Sequence, residues 1–418
     1  MDNNSVAFIG LGYIGLPTAI VMANAGLDVT GVDINEANVE RINRGEVTIV
    51  EPGLEEALLS AIESGRFRAT TKQVHADCYI IAVPTPFNDD YSVDMKYIYS
   101  AAEALAPKLE GGELVILEST SPPQTTQKMA DRILELRPDL VADRDDAVQT
   151  DKPVIYFAHC PERILPGHAL EELKTNDRII GGQSKVATQR ATKIYASFCV
   201  GELLPTDDVT AEMAKLTENS FRDVNIAFAN ELSLIADNLG INVWELIELA
   251  NHHPRVNILQ PGPGVGGHCI AVDPWFIVAA DPENSKLIHT ARLVNDGKPD
   301  WVIEQAKQAI TEQEDQQLAI LGLAFKADID DLRESPALDI ATRLAEEMEG
   351  VNFLAVEPNI TELPKRLRGF DNIELATVEE AIERADTILL LVDHQEFKSL
   401  SQDALRNKNV IDTKGLWR

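Results

Sequence analysis

The sequence predicts an α/β fold with two doubly wound domains joined by a central helical region. Strand-like and helix-like segments alternate in the first third of the chain, as they do in a parallel sheet covered by helices on both faces. From Val209 onward, apolar residues recur at every third or fourth position, which is the period of a long helix. A second alternation starts at Gln317. Three regions are therefore expected, at residues 1–205, 206–310 and 311–418.

The elements of each region follow from these patterns. The strands predicted for the first region are Val6–Ile9, Val29–Asp33, Tyr79–Val83, Leu114–Glu118, Val154–Ala158 and Arg178–Gly181. In the second region, a long and largely buried helix carries Met213, Leu216, Phe221, Val224, Phe228, Leu232 and Ile235. Further helices are expected at Val243–Ala250 and from about Asp273 to Glu312, with a Pro- and Gly-rich loop between them. Past a polar boundary at Thr311–Gln317, the last region offers strands at QLAILGLAFK, Phe353–Val356, Thr387–Val392 and Val410–Asp412.

Composition narrows the class of protein. The chain has 418 residues, 44% of them hydrophobic and 25% charged, and a net charge of −31. Such acidity argues against nucleic acid and anionic membrane surfaces as partners, because both would be repelled. The longest apolar runs, Cys78–Val83 and Ile388–Val392, are far too short to span a bilayer. The N-terminus lacks a basic stretch followed by an apolar core, so we expect a cytoplasmic protein.

The cysteines differ in their sequence surroundings. All four are widely spaced and form no CxxC pair, so no metal site or redox dithiol is predicted. Cys78 and Cys199 lie among apolar residues and are expected to pack in the core. Cys160 stands beside Pro161-Glu162-Arg163 without a clear task. Cys269 belongs to a Gly-Gly-His-Cys loop, where glycines allow backbone amides to approach a ligand, and is less easily assigned to the core.

A dinucleotide site is predicted at the first strand. Val6–Ile9 runs into Gly10-Leu-Gly12-Tyr-Ile-Gly15 and then a helix, which is the strand–turn–helix setting of a Rossmann-like GxGxxG motif. Asp33 closes the next strand 18 residues after Gly15 and can accept hydrogen bonds from an adenosine ribose. A carboxylate there repels the extra phosphate of NADP, so NAD is the expected cofactor. The alternative is a Gly-rich turn with a capping aspartate.

Polar segments follow two further strands. Val83-Pro-Thr-Pro86 and Glu118-Ser-Thr-Ser121 are expected to face the dinucleotide crevice, because ligands bind outside the carboxyl ends of parallel strands. The alternative for each segment is an ordinary loop without a role in binding. On the long helix, Lys215 and Asn219 are spaced i, i+4 and project from one face, where they could hold a water or a sugar hydroxyl. A solvated polar stripe would have the same spacing.

The order of these motifs resembles one enzyme family over essentially the whole chain. The matching segments are GLGYIGLP, VPTP, EST, CPER, KLTENSFR, GPGVGGHC followed by Asp273, and FKADIDDLRESP. They are similar to those of the UDP-glucose/UDP-N-acetylmannosamine dehydrogenase family. The resemblance implies an NAD domain at 1–205, a helical region at 206–310 that forms a homodimer and carries the catalytic loop, and a UDP-binding domain at 311–418.

The resemblance also implies a reaction. Cys269 would be the nucleophile of a four-electron oxidation that turns a sugar C6 alcohol into a carboxylate through a thiohemiacetal and a thioester. Lys215 and Asn219 would polarise the sugar oxygen, with Asp273 supporting that pair. A surface-polysaccharide precursor would be the product.

Other residues in the same motifs receive implied roles. Glu162 would handle the water that cleaves the thioester, and Thr120 would position water or the hydroxyl. The implied cofactor contacts are Gly10, Gly12, Tyr13, Ile14, Gly15, Asp33, Pro84, Thr85, Ser119, Thr120 and Arg333. The implied substrate contacts are Glu162, Arg163, Lys215, Asn219, Arg222, Arg255, Asn257, Gly266, His268, Phe325 and Lys326. Among these, Lys326 would contact a nucleotide phosphate, Arg333 would reach between cofactor and substrate, and Arg255 would extend into a neighbouring subunit's site.

Two positions bear on the sugar. Val272 stands where UDP-glucose dehydrogenases have a lysine, and Pro166 replaces an acidic residue that follows their PE motif. With Val272 in place of the lysine, the sugar pocket lacks a charged hydrogen-bond donor and gains a partly apolar wall, which suits a 2-acetamido group. UDP-N-acetylmannosamine is therefore the expected substrate, with UDP-N-acetylglucosamine or UDP-glucose as alternatives. Two rival functions are a single-step hydroxyacid dehydrogenase, which would need neither Cys269 nor the last domain, and a non-catalytic sensor that binds NAD and a nucleotide.

Overall fold

The chain divides into two compact units, Met1–Glu218 and Asn219–Arg418. The computed structural model describes residues 5–47, 49, 51–88, 90–144, 151–164, 167–267, 269–310 and 317–417. The division falls within one long helix, α8, at Asp208–Leu239. The three-region division with boundaries after residues 205 and 310 stays a prediction, and the polar run predicted as a boundary lies outside the described residues, except for Gln317.

A mixed sheet forms the centre of the first unit. Its strands are β1 Ser5–Ile9, β2 Asp28–Val32, β3 Phe67–Thr70, β4 Cys78–Ile81, β5 Leu114–Leu117, β6 Val141–Ala142, β7 Val154–His159, β8 Arg178–Gly182 and β9 Leu203–Asp207. The order is β3-β2-β1-β4-β5-β7-β8-β9, with β6 beside β7. Pairing is parallel except between β7 and β8. The order reverses between β1 and β4, which is where a doubly wound sheet opens its ligand crevice.

Helices cover both faces of this sheet. They are α1 Gly15–Asn24, α2 Glu36–Asn43, α3 Leu54–Glu63, α4 Lys96–Leu105, α5 Thr125–Leu136, α6 Ala169–Thr175 and α7 Lys185–Tyr195. Alternate residues of β1 enter different cores, because successive side chains of a strand point to opposite faces. Val6 and Phe8 pack on one side, and Ala7 and Ile9 on the other. This two-sided burial explains why the central strands are continuously apolar.

The second unit combines helices with a second parallel sheet. After α8 come α9 Val243–Asn251, α10 Asp273–Ala280 and α11 Lys286–Ala309. The strands are β10 Gln317–Leu321, β11 Asn352–Val356, β12 Ile373–Leu375, β13 Thr387–Leu390 and β14 Asn409–Asp412, in the order β12-β11-β10-β13-β14. The remaining helices are α12 Pro336–Glu347, α13 Val378–Arg384, α14 Gln395–Lys398 and α15 Gln402–Leu405. No helix in the described ranges is long and apolar enough to cross a membrane.

Helix α8 differs from its prediction. We expected it to be largely buried, yet Phe221, Phe228 and Ile235 are 69%, 54% and 48% exposed in the chain. These three residues lie seven apart and therefore share one face of the helix. The opposite face is buried and carries Asp223 and Asn230, which are fully enclosed. The prediction of a largely buried helix is thus wrong for the apolar face, because the face that packs inside the unit combines small residues such as Ala227 and Ala229 with these polar ones.

Candidate active site

The first turn of the chain has the geometry of a dinucleotide-binding loop. Gly10 has φ +94°, and a Cβ on it would lie 2.3 Å from the carbonyl oxygen of Ala82. A side chain is therefore excluded at this point of the turn. Gly15 begins α1 directly against the backbone of Gly10. At Gly12, by contrast, a Cβ would meet no atom within 4 Å. That open space, next to the first turn of α1, is what a pyrophosphate needs.

Asp33 organises the same turn. Its Oδ2 accepts the Leu11 amide at 2.9 Å, and its Oδ1 accepts the Asn35 amide at 2.8 Å. Each carboxylate oxygen keeps a further lone pair, so the side chain can still accept ribose hydroxyls. It is half-buried at the end of β2, where the Gly10 amide donates to the Val32 carbonyl at 2.8 Å. The residues predicted to bind the adenosine half of NAD thus meet at one edge of the sheet.

The two polar strand ends are linked to each other. The Thr85 hydroxyl donates to the Thr120 carbonyl at 2.8 Å, and the Ser119 hydroxyl donates to the Val83 carbonyl at 2.7 Å. These bonds join the segments that follow β4 and β5, which are neighbouring parallel strands. Both segments lie at the carboxyl edge of the sheet beyond the β1–β4 reversal, as the sequence predicted. Of the other two predicted cofactor contacts here, Pro84 is exposed and Ile14 is half-buried.

Glu162 belongs to a buried ion-pair network. Arg178 lies between two carboxylates, with Nη2 2.7 Å from Glu162 Oε2 and Nη1 3.2 Å from Glu118 Oε1. Tyr195 also donates to Glu118 Oε1, at 3.1 Å. Burial raises the pKa of Glu118 to about 8, although the neighbouring Arg178 opposes that rise. The network fixes Glu162 through Arg178, and Glu162 Oε1 in turn accepts the Arg163 amide at 2.5 Å.

The helix α8 carries the predicted Lys–Asn pair. Lys215 is half-buried and Asn219 is buried, one helical turn apart. Between them, Glu218 forms an ion pair with Arg163 at 2.8 Å in the first unit. In the second unit, the Asn219 amide donates to Asp273 Oδ2 at 2.6 Å. The expected support of Asn219 by Asp273 is therefore a direct hydrogen bond.

Cys269 lies on a loop that is held closely on one side. A Cβ on Gly266 would stand 2.5 Å from the Glu334 carbonyl oxygen and 2.7 Å from Pro336 Cδ, so only glycine allows this approach. The carbonyl of Cys269 accepts the amide of Asp273 at 2.9 Å, at the start of α10. Cys269 itself is exposed. Its neighbour His268, predicted to contact the substrate, lies outside the described residues, as does Pro166.

The other thiols are enclosed. Cys78, Cys160 and Cys199 all belong to the core of the first unit. Burial raises the pKa of the Cys78 and Cys160 thiols, which keeps them protonated and weakly reactive. All four cysteines lie within the described residues, and among them only Cys269 is exposed.

The Phe325-Lys326 segment sits on a turn that repeats the geometry of the first strand. The Gly322 amide donates to the Val356 carbonyl at 2.8 Å, as Gly10 does to Val32. Glu357 then takes the place that Asp33 has after β2, and its Oε2 accepts the Leu323 and Ala324 amides at 2.8 and 2.9 Å. Phe325 is half-buried and Lys326 is exposed.

Unlike Asp33, Glu357 is closed off from solvent. His394 Nε2 lies 3.1 Å from Glu357 Oε2, and its Nδ1 accepts the Asp328 amide at 3.0 Å. Burial raises the pKa of Glu357, but the hydrogen bonds from His394 and the two amides outweigh it and lower the pKa overall. Asp328 and Glu396 stand near His394 in a group that could accommodate a cation, yet both ring nitrogens already have partners. The Glu357 carboxylate therefore fixes the turn that presents Phe325 and Lys326.

Four predicted contacts are exposed within their own unit. Arg222, Arg255 and Asn257 lie on the surface of the second unit. Arg333 is exposed as well and forms a two-point ion pair with Asp331, at 2.9 and 2.6 Å. In the first unit, Tyr13 donates to Glu51 at 3.3 Å. The binding roles implied for these residues stay predictions.

Comparison with known proteins decides the family. Three domains of one family match the chain in order: the NAD binding domain at residues 4–199, the central domain at 209–297 and the UDP binding domain at 319–418. The chain belongs to the UDP-glucose/GDP-mannose dehydrogenase family. This dehydrogenase is therefore an NAD-dependent oxidoreductase, and the open space at Gly12 and the carboxylate of Asp33 fit that cofactor.

Similarity to individual relatives extends over the whole dehydrogenase. The UDP-N-acetyl-D-mannosamine dehydrogenase of Salmonella typhi is 54% identical over 100% of both chains. The NDP-N-acetyl-D-galactosaminuronic acid dehydrogenase of Ralstonia nicotianae is 53% identical over 100% of this chain and 97% of its own. A solved structure of the UDP-N-acetyl-mannosamine dehydrogenase from Staphylococcus aureus superposes with a TM-score of 0.84 at 43% identity, covering 99% of this chain and 95% of that one.

Several residues of the site escaped the sequence analysis. Arg178, Glu357 and His394 hold predicted site segments in place but belong to none of the motifs. Glu357 could have been found, since it ends the strand after a Gly-Leu turn just as Asp33 does. Arg178 offered no such signal, because its partners lie 60 and 16 residues away in the chain.

Proposed function

We propose that this dehydrogenase oxidises UDP-N-acetyl-D-mannosamine to UDP-N-acetyl-D-mannosaminuronate in two steps, with Cys269 as the covalent nucleophile. The observation that carries the proposal is the placement of the one exposed cysteine on a glycine loop, beside an aspartate bound to Asn219. Single-step dehydrogenases and non-catalytic sensors have no use for such a thiol. The reduced thiols and the NAD requirement suit a cytoplasmic enzyme.

The proposed steps use the residues to which the family resemblance gives roles. When bound at the first turn, NAD would accept the hydride of the first oxidation, and a second NAD, bound after the first NADH has left, would accept the hydride of the second. In the first step the C6 alcohol loses a proton and a hydride and becomes an aldehyde. The Cys269 thiolate then adds to the aldehyde carbon, and the thiohemiacetal loses its proton and hydride to become a thioester. Lys215 stabilises the alkoxide charge in both steps, while Asn219 orients the oxygen. Water, activated by Glu162 and placed by Thr120, releases the carboxylate and regenerates the thiol.

The sugar assignment rests on chemistry as well as on relatives. The relatives named for mannosamine and galactosaminuronic acid are nearly equally similar, so overall identity does not select the configuration. Val272 gives the loop an apolar side chain before Asp273. A site that pairs with a 2-acetamido group leaves its own polar groups unpaired when glucose binds, which costs about 1–3 kcal/mol for each group. We therefore propose that glucose is discriminated against.

The decisive assay compares UDP-N-acetylmannosamine, UDP-N-acetylglucosamine, UDP-N-acetylgalactosamine and UDP-glucose under one set of conditions. We expect kcat/KM to be highest for the mannosamine substrate and lower for UDP-glucose by a factor of about ten or more. We also expect about two NADH for each sugar consumed. One NADH for each sugar would support a single-step dehydrogenase, and binding without turnover would support a sensor. A different sugar ranking first would refute the substrate assignment alone.

Asp33 should determine the cofactor preference. Replacing Asp33 by serine together with Asn35 by arginine removes the charge that repels a 2′-phosphate and supplies one that attracts it. We expect the ratio of kcat/KM for NAD over NADP to fall by roughly a hundredfold in steady-state assays, since two charge interactions change together.

A matched control lies on the same strand. Asp28 begins β2 and forms an exposed ion pair with Arg66, away from the crevice. Asp28→Ser should leave the cofactor ratio unchanged. Equal use of both cofactors by the unaltered enzyme would rule out this role for Asp33.

A homodimer is proposed from the exposed stripe of α8. Phe221, Phe228, Ile235 and Leu239 form an apolar face that the described part of the chain leaves uncovered. A second copy would cover it, and the exposed Arg255 could then extend into the neighbouring subunit's site. Phe228→Glu should convert the dimer to monomers at micromolar concentration in sedimentation experiments, because it places charges in the middle of the stripe.

Val200→Glu is the control for that experiment. Val200 is 81% exposed in the first unit and lies outside the stripe. This variant should sediment like the unaltered protein. If Phe228→Glu did so too, the stripe would not be the dimer interface.

A further inference from the structure

The loop that carries Cys269 is fastened to α8 at two points. Asn219 donates to Asp273 at one end of the loop, and Asn230 Oδ1 accepts the Gly262 amide at 2.9 Å at the other. The two asparagines are eleven positions apart in the chain, and so are Gly262 and Asp273. The loop therefore runs antiparallel to the helix, between anchors about 16 Å apart along its axis. Cys269 lies between the two anchors.

Asn230 is itself held in one orientation. A backbone amide can only donate, so the Asn230 side chain must turn its oxygen to Gly262 and its NH2 group to Asn295 Oδ1, at 2.8 Å. Asn295 must then point its own NH2 group to Asp223, where it donates to Oδ1 at 2.8 Å and to the backbone carbonyl at 3.0 Å. Arg292 closes the chain by donating to Asp223 Oδ1 at 2.5 Å.

The chain of hydrogen bonds has a fixed direction. A donor that cannot reverse stands at each end, Gly262 N–H at one and the Arg292 guanidinium at the other. All four side chains are buried, and Asp223 and Asn230 are fully enclosed. Buried polar chains of this kind specify one geometry, because any rotation of an amide would leave two groups unpaired. The buried Gly262 anchor is thus held in one geometry.

We infer that Asn230, oriented by Asn295, Asp223 and Arg292, is a positioning residue for the aldehyde-oxidising step. This inference rests on the proposed function, in which Cys269 attacks the aldehyde. The first hydride transfer needs no thiol. The second requires the sulfur to lie at bonding distance from the aldehyde carbon, where a displacement of about 1 Å can cost up to roughly a hundredfold in rate. Loosening the Gly262 anchor therefore slows the second step selectively.

The test measures the two oxidations separately. Asn230→Ala removes the anchor, and Asn295→Ala leaves the anchor but frees its amide to rotate. With UDP-N-acetylmannosamine and NAD, in the presence of a hydroxylamine trap for the aldehyde, we expect Asn230→Ala to yield nearer one NADH for each sugar instead of about two. The rate of Cys269 carbamidomethylation, followed by peptide mass spectrometry, should change by about threefold or more, because the loop is less constrained. Asn295→Ala should show smaller shifts in the same direction.

Ser233→Ala is the matched control. Ser233 is buried on the same face of α8, one turn further along, where its hydroxyl accepts a hydrogen bond from Lys298 and donates one to the backbone carbonyl of Asn230, both at 2.6 Å. Its removal therefore leaves the side-chain amide of Asn230 and the bond to Gly262 in place. It should lose thermal stability but keep the NADH ratio and the alkylation rate. If both asparagine variants kept them as well, the positioning role would be overturned. If instead the unaltered enzyme yielded one NADH for each sugar, or Cys269→Ser kept full acid production, the proposed function itself would fail.

Discussion

Cys269→Ser should abolish carboxylate formation, with kcat for the overall oxidation falling by roughly 10³- to 10⁶-fold, as for other lost nucleophiles. A serine hydroxyl is far less ionised than a thiol near neutral pH, so addition to the aldehyde becomes the slow step. The first hydride transfer should persist, and a slowly hydrolysed ester on the introduced serine could accumulate. NADH release for each sugar, together with the intact mass of the protein after mixing with substrate, measures both effects.

Cys199→Ser provides the control for this variant. Cys199 is buried in the first unit, and its thiol donates to the Asn176 carbonyl at 3.3 Å. Its replacement should affect stability more than turnover. If Cys269→Ser produced the carboxylate at an undiminished rate, the covalent mechanism would be excluded, whatever the sugar.

The central sheet of the first unit could be predicted because its strands are buried on both faces. Apolar runs such as Cys78–Ile81 carry a signal that does not depend on their neighbours. The strands that were missed lack it. Phe67–Thr70 is an edge strand of four residues, and Leu203–Asp207 contains a proline and is partly exposed. Edge strands are short and polar for good reason, since an apolar edge invites aggregation.

Helix α8 shows where periodicity fails. The 3.6-residue period correctly predicted a helix, but it could not say which face would pack. The apolar face was assigned to the core, whereas the packed face satisfies its polar groups with α11, for example Asp223 with Arg292. The residues of such pairs are distant in sequence, so no local pattern predicts the contact between them. In the proposed homodimer, a second copy covers the exposed apolar face.

The candidate site could be predicted only for those residues that belong to a local sequence motif. Glycine turns and strand-end polar residues are local, so Gly10, Asp33 and Thr85 could be assigned from the sequence to the strand ends where the structure has them. The contacts that orient them are not local. Arg178 reaches Glu118 and Glu162 from another strand, and Asn230 reaches Gly262 across 32 residues. The residues proposed to act belong to local motifs, while those that hold them in position required the fold.

Lys215→Ala should lower kcat by about 10²- to 10³-fold, the usual cost of losing one donor that stabilises a developing oxyanion. Lys215 is half-buried on α8, one turn from Asn219, so its ammonium is partly shielded from water and acts over a short distance. Because the positive charge of Lys215 matters most when an alkoxide forms, KM should change much less than kcat. Both oxidations pass through such an alkoxide, so the number of NADH formed for each sugar should stay at about two even as turnover slows, unlike in Cys269→Ser.

Lys174→Ala, on the helix α6, removes a surface charge of the same kind and should leave kcat unchanged. A similar, small effect of both lysine variants would mean that Lys215 belongs to a solvated polar stripe, and that the oxyanion is stabilised by another group.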